Sequence, residues 1–399
     1  MADKPKVLIA GAGIGGLTAA LALLKFGFNV EIYEQAPELA EIGAGFQMSA
    51  NGTRVLYALG LGEAIEAIAW QPSGKEIRIW NTGQTWKLFD LGAESVARYG
   101  YPYLMFHRGD LHRILVEAVC AEKPDALHLG ANCIGCDQDD GKAHLRIEGA
   151  EDAVGDALIG ADGVHSTIRQ TLFGPDDRSF SGLIAWRGLV DAAALPDEMA
   201  RPVGVNWVGP GGHVVHYFVR HGALLNFVGI LEKDDWQVES WTAQGTVEEC
   251  LADFAGWHEA IQATILNFQT PYKWALMRRE PMDRWTEGRI SLLGDACHPM
   301  VPMLAQGAVM AIEDGMVLAR CFDGFGSDVE GALSRYEDLR RDRTARAIRG
   351  SNENADRFHN SQLGDPAVAQ KYVDTEWQPD RVRDRYDWIF TYDATSVEV

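Results

Sequence analysis

Close to the N-terminus, Gly11-Ala-Gly13-Ile-Gly-Gly16 stands between a compact apolar run, Lys6 to Ala10, and an Ala/Leu-rich segment, Leu17 to Phe26. No other feature of the chain constrains its fold as much. Glycines at this spacing let the backbone turn tightly and approach a pyrophosphate, which then sits at the positive end of the following helix. Asn29 to Tyr33 reads as a second strand after the Gly27 turn, and Glu34 closes it. The acid lies about 20 residues on, where a carboxylate meets a ribose 2′-hydroxyl. Strand, helix and strand make a βαβ unit, and the expectation is a dinucleotide-binding domain. FAD and NAD both offer that hydroxyl, so the fingerprint leaves the two open.

Val7 to Leu24 carries no charge and follows Lys4 and Lys6, which imitates a signal peptide or a short membrane span. The glycines break this run into strand and helix, and no small-residue cleavage site precedes the charged strand around Glu31. A cytoplasmic protein without membrane association is expected. With 36 basic against 57 acidic residues the net charge is −21. That field repels nucleic acid, and no Lys/Arg cluster offsets it locally. A small anionic ligand would need a locally positive or hydrogen-bonding pocket. Six cysteines in 399 residues do not make a disulfide scaffold. Cys133-Ile-Gly-Cys136 has the form of a redox pair or half a zinc site, yet it lies in a strand-like stretch with no second pair, so no metal is expected.

Further along, Arg54 to Ala69 has helical spacing, with Gly60 and Gly62 inside it, and Asp110 to Ala121 reads as an amphipathic helix. From about Gly182 to Leu231 the chain turns β-rich, punctuated by Gly209-Pro-Gly-Gly212, as for a mixed sheet walling a pocket. A strand over Arg289 to Leu293 leads into a helical region, Ala308 to Phe358, whose Arg335 to Arg349 stretch has the mixed charge of a solvated face.

Two later segments repeat one device. Ile159-Gly-Ala-Asp162-Gly163-Val-His-Ser-Thr-Ile-Arg169 and Arg289-Ile-Ser-Leu-Leu-Gly294-Asp295-Ala-Cys-His298-Pro299 each run an apolar strand into Gly and Asp. This delivers a carboxylate to the carboxyl end of a sheet, to accept from ligand hydroxyls or to fix a loop. With the first fingerprint, these motifs give the chain a resemblance to the class A FAD-dependent aromatic hydroxylases, the para-hydroxybenzoate hydroxylase superfamily. The match spans essentially the whole length. Gly43-Ala-Gly-Phe-Gln47, Trp207 to Tyr217, His298 to Ala308 and Asp387 to Asp393 resemble the salicylate hydroxylase and 3-hydroxybenzoate 6-hydroxylase-like members.

The resemblance implies an α/β fold. Its discontinuous Rossmann-like FAD-binding domain covers 1–180 and 276–399, the second part with C-terminal helices. A mixed β-sheet substrate domain over 181–275 is inserted, and residues about 75–105 can join its sheet. It also implies that Gly11, Gly13, Gly16 and Glu34 hold the ADP half of a tightly bound, non-covalent FAD. Asp295 would bond the ribityl chain, Arg108 would contact FAD, and Asp162 and Arg169 lie in a motif linked to FAD and NAD(P)H. Gln47, Pro299, Gln306, Gly307 and Ala308 complete the cofactor-binding set; in the family the Pro299 loop cradles the isoalloxazine. The chain has no second GxGxxG with a following acid, which agrees with transient reaction of NADH or NADPH at a mobile flavin.

The implied reaction uses O2, through a flavin C4a-hydroperoxide, to hydroxylate a small phenolic acid. Removing the phenolic proton makes the ring electron-rich, so a base is expected beside the flavin. His213 and Tyr217 lie on one face of an extended strand and His216 on the other. All three are candidates. The resemblance favours His213, which matches a position where some related hydroxybenzoate hydroxylases keep a substrate-contacting histidine. His213 is thus the candidate base, or a histidine satisfying a local hydrogen bond, with Tyr217 a second pocket residue. His298 reads as structural. Arg187 either holds a substrate carboxylate or supports the fold. Val301 to Met303 are apolar where other hydroxybenzoate enzymes carry a polar contact. Salicylate to catechol with loss of carboxylate is the first expectation. 3-Hydroxybenzoate or a hydroxylated pyridine carboxylate is the alternative, and a non-hydroxylating flavin oxidase or reductase is the alternative class. A monomer or homodimer is expected.

Overall fold

The computed structural model describes residues 4–39, 45–175, 178–234 and 243–399, so Gly43 and Ala44 of the Gly43–Gln47 stretch lie outside it. A six-stranded sheet carries the first fingerprint. Its order is Thr286–Glu287, Ile290–Leu292, Ala157–Gly160, Lys6–Ala10, Asn29–Glu34 and Leu127–Leu129. All neighbours are parallel except the Thr286–Glu287 edge. Parallel strands are covered on both faces and so read as unbroken apolar runs; Val7, Leu8, Ile9 and Ala10 are fully buried. The three strands that end in Gly or Gly-Asp motifs are therefore adjacent, and their carboxyl ends meet on one side of the sheet.

The helix Ile14–Lys25 covers this sheet and is itself covered by Gly307–Phe325. The two come close because a Cβ at Gly315 would lie 2.7 Å from the Ala19 nitrogen. The charge-free Val7 to Leu24 run is thus a strand and a buried helix. Among the described residues no helix is long and apolar enough to cross a membrane.

A second sheet has seven strands in the order Tyr272–Arg279, Arg178–Asp191, Leu224–Glu232, Gly212–Val219, Val203–Gly209, Gly74–Ile79 and Thr85–Asp90. It is mixed, since Val203–Gly209 and Gly74–Ile79 run parallel and the other neighbours antiparallel. Leu104–His107 pairs instead with Gly45–Met48 in a separate ribbon. The C-terminal helices Pro366–Glu376 and Pro379–Phe390 close against the Thr85–Asp90 edge, where Trp86 Nε1 donates to Asp374 at 2.9 Å and Phe89 packs on Tyr386.

One helical expectation is corrected. Arg54 to Ala69 is not one helix but Ala50–Ala58 and Gly62–Glu66, because Gly60 adopts φ +80° and ends the first. The helical region Ala308 to Phe358 comprises two helices, Gly307–Phe325 and Val329–Phe358, the second restarted by Asp328, whose side chain accepts from the Gly331 amide. Cys133 and Cys136 lie on the strand Cys133–Asp139, and all six cysteines are free. Burial pushes the thiols of Cys133 and Cys136 up to about 12 and about 11, which favours the protonated thiol over the nucleophilic thiolate near neutral pH. Among the described residues no side-chain cluster is suited to hold a metal ion.

Candidate active site

A cavity of about 340 Å³ runs from the glycine loop, past the Asp295 and Pro299–Ala308 segments, to one face of the seven-stranded sheet. At its first end the three fingerprint glycines do different work. A Cβ at Gly16 would stand 2.1 Å from the Gly11 carbonyl oxygen, and one at Gly11 would stand 2.5 Å from that of Ala161. Both positions hold the loop against the sheet. Gly13 is extended, at φ −72° and ψ 177°, and a Cβ there would meet nothing within 4 Å. It borders open space at the start of Ile14–Lys25, where no side chain caps the helix and no acid stands in its first turn. Unpaired amides, room and no negative charge fit a pyrophosphate.

The acids divide in the same way. Glu34 accepts from the Ala12 and Ala36 amides, both at 2.9 Å, one on each carboxylate oxygen, which leaves lone pairs for a ribose hydroxyl. Asp162 takes the Ser166 hydroxyl at 2.5 Å and the Ile168 amide at 3.1 Å, so its carboxylate fixes its own loop. Desolvation nevertheless raises its pKa. Arg169 donates to the carbonyls of Ala296 and Val164, both at 2.9 Å, and thereby ties the Asp162 loop to the Asp295 loop. Asp295 is exposed into the cavity, near Gly307, and Arg108 is also exposed to it at the head of the helix Arg108–Glu122.

Under the Pro299–Ala308 loop lies a buried charge network invisible to local sequence reasoning. Arg340, from the long helix, contacts Glu313 and Asp314, each at 2.7 Å, and Arg343 contacts Glu313 at 2.7 Å. Burial pushes both carboxyls up, but Arg343 and Arg340 at Glu313, and His298 and Arg340 at Asp314, outweigh it, so both are lowered and stay ionised. The network reaches the loop directly. Asp314 holds His298 Nε2 at 2.5 Å and the Gly294 amide at 3.2 Å; Asn51 donates to Glu313 and Gln306. His298 is a buried structural residue, as expected. Gly307 and Ala308 open the helix Gly307–Phe325 with no side-chain cap, so their amides remain available at the cavity.

The sheet supplies the other end. His213, Val215 and Tyr217 alternate on Gly212–Val219, and all three line the cavity. His216 faces away and bonds Trp207 Nε1 at 3.0 Å. Opposite them in register are Ile230, Val228 and Asn226, then Ala185, Arg187 and Leu189 on the next strand. Arg187 thus faces the same cavity as His213, and its guanidinium lies 4.7 Å from the centre of the Trp274 ring. Part of its surface is open to the cavity, yet it lies deep, and desolvation pulls its pKa down to about 10. Gln47 has its carbonyl oxygen taken by Lys75 Nζ at 3.2 Å and the Tyr103 hydroxyl at 2.9 Å, which leaves its amide NH2 as the donor facing the cavity. Burial lowers Lys75 to about 8. No motif marked Lys75, Tyr103 or Trp274, because they reach the site from three separate segments: two strands and the residue before a third.

The model of the FAD binding domain family matches residues 4–351. A 3-amino-4-hydroxybenzoate 2-monooxygenase of Streptomyces platensis is 37% identical over 394 residues, covering 99% of this chain and 98% of the relative. The chain belongs to the FAD-dependent aromatic monooxygenases. A 6-hydroxynicotinate 3-monooxygenase of Pseudomonas fluorescens is 37% identical, over 89% of this chain and 92% of the relative. A 3-hydroxybenzoate 6-hydroxylase of Polaromonas naphthalenivorans is 34% identical, over 99% and 98%. Among solved structures, HpxO of Klebsiella pneumoniae with FAD and uric acid aligns with TM-score 0.84 and 28% identity, over 97% of each chain. A salicylate hydroxylase substrate complex aligns with TM-score 0.83 and 25% identity, over 99% of this chain and 97% of that one. As a member of this family the chain is a flavoenzyme using FAD, a nicotinamide and O2, and the expected α/β architecture is the observed one.

Proposed function

We propose that this monooxygenase hydroxylates a small aromatic acid whose hydroxyl lies across the ring from its carboxylate, of the 3-amino-4-hydroxybenzoate or 6-hydroxynicotinate kind. The observation that supports this reading most is the placement of Arg187 and His213 on one cavity face. They are two strands and two residues apart, so their Cα atoms are separated by about 12 Å at ordinary sheet spacing. One cation and one imidazole at that separation suit polar groups at opposite ends of a ring. In salicylate the two groups are neighbours, which that separation suits less well. The S. platensis and P. fluorescens relatives are named for acids with the hydroxyl opposite the carboxylate, and we rank salicylate below these.

In this reading Arg187 binds the carboxylate by a charge-assisted pair, strengthened by its desolvated setting over Trp274. His213 Nε2 accepts the phenolic proton, and the Gln47 NH2 is a donor for another substrate oxygen. Val215, Val228 and Ile230 line the cavity between the two anchors and keep water from the ring. Gly13 would hold the pyrophosphate of FAD, Glu34 its ribose and Asp295 its ribityl chain. Arg108 would offset the phosphate charge, and the amides of Gly307 and Ala308, with Pro299 and Gln306, would support the ring system. Bound FAD, reduced by NADH or NADPH, supplies an electrophilic oxygen atom from O2 to the activated ring.

The test is NAD(P)H consumption by purified holoenzyme with 3-amino-4-hydroxybenzoate, 6-hydroxynicotinate, 3-hydroxybenzoate and salicylate, with products identified by mass spectrometry. The expected result is one hydroxylated product per nicotinamide with an acid of the first two kinds. Coupled turnover of salicylate alone would refute the spacing argument. Peroxide formed with every acid would replace hydroxylation by oxidase chemistry.

A further inference from the structure

His213 is the innermost member of a chain of hydrogen bonds that reaches the surface. Its Nδ1 lies 2.7 Å from His359 Nε2, and His359 Nδ1 lies 3.2 Å from a carboxylate oxygen of Glu232. Both imidazoles are buried, whereas the Glu232 side chain is 59% exposed. One turn brings the three together: the Gly211 amide donates to the His359 carbonyl, and the Glu232 amide donates to the Gly211 carbonyl. Phe358 packs on His213 at 5.0 Å and stacks on Trp377, so apolar rings flank the path.

The donors and acceptors permit one neutral arrangement. An ionised carboxylate only accepts, so His359 Nδ1 carries a proton and donates to Glu232. A neutral imidazole has one N–H, so His359 Nε2 is an acceptor and His213 Nδ1 must donate to it. His213 Nε2 is then a bare lone pair, with no hydrogen bond among the described residues, on a side chain that lines the cavity. The surface carboxylate thereby sets the tautomer of a base at the other end of the path.

We propose that His213, His359 and Glu232 form a proton wire that carries the phenolic proton of the aromatic acid to solvent and returns one to the product. This rests on the hydroxylation reading. On substrate ionisation the O–H bond breaks and His213 Nε2–H forms. Nδ1–H of His213 breaks as Nε2–H of His359 forms, and Nδ1–H of His359 breaks as the Glu232 carboxyl forms and releases its proton to water. The reverse sequence reprotonates the product phenolate and restores both tautomers, so the cycle is balanced. The proton does not rest on His213, because desolvation, His359 and Lys75 all disfavour its charged form. His359 caps the carboxyl end of the 30-residue helix Val329–Phe358, whose dipole offsets part of the burial that disfavours its charged form, so the proton passes on to Glu232.

Two measurements on the holoenzyme separate this proposal from the hydroxylation reading. In long-range proton–nitrogen correlation spectra of 15N-histidine enzyme, His213 and His359 are both expected as Nδ1–H tautomers. His213 in the Nε2–H form would overturn the wire whatever the substrate. In the second, stopped-flow mixing with 3-amino-4-hydroxybenzoate at low buffer, with a pH indicator, follows proton release. Glu232→Ala and His359→Phe are expected to slow it by about tenfold or more, with FAD content unchanged. His359→Ala should recover with added imidazole, which a purely structural role would not predict. Because Glu232 is exposed, its variant guards against a folding failure at His359. Unslowed release in both variants, with coupled hydroxylation retained, would remove the wire and leave the enzyme reading intact. If no acid drives turnover, the hydroxylation reading fails and the tautomers alone decide whether the path is set as a wire.

Discussion

Replacing Gly13 and Gly16 separately by alanine distinguishes a glycine kept for the cofactor from one kept for the fold. At Gly13 the backbone is extended and a Cβ meets no protein atom within 4 Å, so Gly13→Ala should leave the apoprotein within about 0.5 kcal/mol of wild type. The methyl instead enters the space beside the unpaired helix amides. Holding a phosphate oxygen off one or two charge-assisted hydrogen bonds costs about 1.5–3 kcal/mol each, or about 10- to 100-fold in FAD affinity per bond. At Gly16 a Cβ would sit 2.1 Å from the Gly11 carbonyl oxygen, closer than any real contact, so the loop must move. Gly16→Ala should therefore destabilise the apoprotein itself by about 2 kcal/mol or more, as overpacking does. The assays are urea unfolding of the two apoproteins and FAD titration followed by flavin fluorescence. Wild-type FAD affinity in Gly13→Ala would refute the argument, as would equal loss of apoprotein stability in the two variants.

Three further outcomes follow from the same geometry. Arg340→Met strips a fully buried cation from Glu313 and Asp314 and should cost about 3–5 kcal/mol in urea unfolding, with weakened FAD retention because Asp314 holds His298 and Gly294; a loss under 1 kcal/mol (about the value of an exposed pair) would contradict it. Arg187→Ala should raise KM for an aromatic acid by about 100-fold while changing KM for the matching neutral amide little; equal effects on both would show that Arg187 does not bind the carboxylate. Acid should destabilise the protein. Burial, with Arg78 nearby, lowers His216 from 6.5 to about 3, and burial lowers His359 to about 4. Their stabilising contribution is present above 6.5 and is lost as pH falls toward those values, about 2 kcal/mol each by pH 5. Unfolding free energies at pH 7.5 and 5 check this, and His216→Gln should flatten the slope; an unchanged slope would remove His216 from the account.

Much of the cofactor end is legible in the amino-acid sequence, because its signals are local. A glycine loop between strand and helix, and an acid closing the next strand, are set by backbone geometry over a few residues. Alternation along one strand puts His213 and Tyr217 on a shared face and turns His216 away, and they line or leave the cavity accordingly. Strand-like surroundings similarly mark Cys133 and Cys136 as ordinary thiols. The helical expectation that fails, Arg54 to Ala69 as one run, does so because periodicity is blind to a break: apolar spacing continues on both sides of Gly60.

The chain alone therefore determined the βαβ unit and its dinucleotide-binding edge, since both are specified by contiguous residues with a fixed period, and its motifs carried the resemblance that implies the family chemistry. Only the tertiary structure decided what each polar group faces. Arg340 meets Glu313 and Asp314 across two helices. Gln47 is oriented by Lys75 and Tyr103, and His213 meets His359 from 146 residues away. Such pairings exist because burying a polar group demands a partner, wherever in the chain that partner lies. The demand is strict, but the sequence carries no local mark of who answers it.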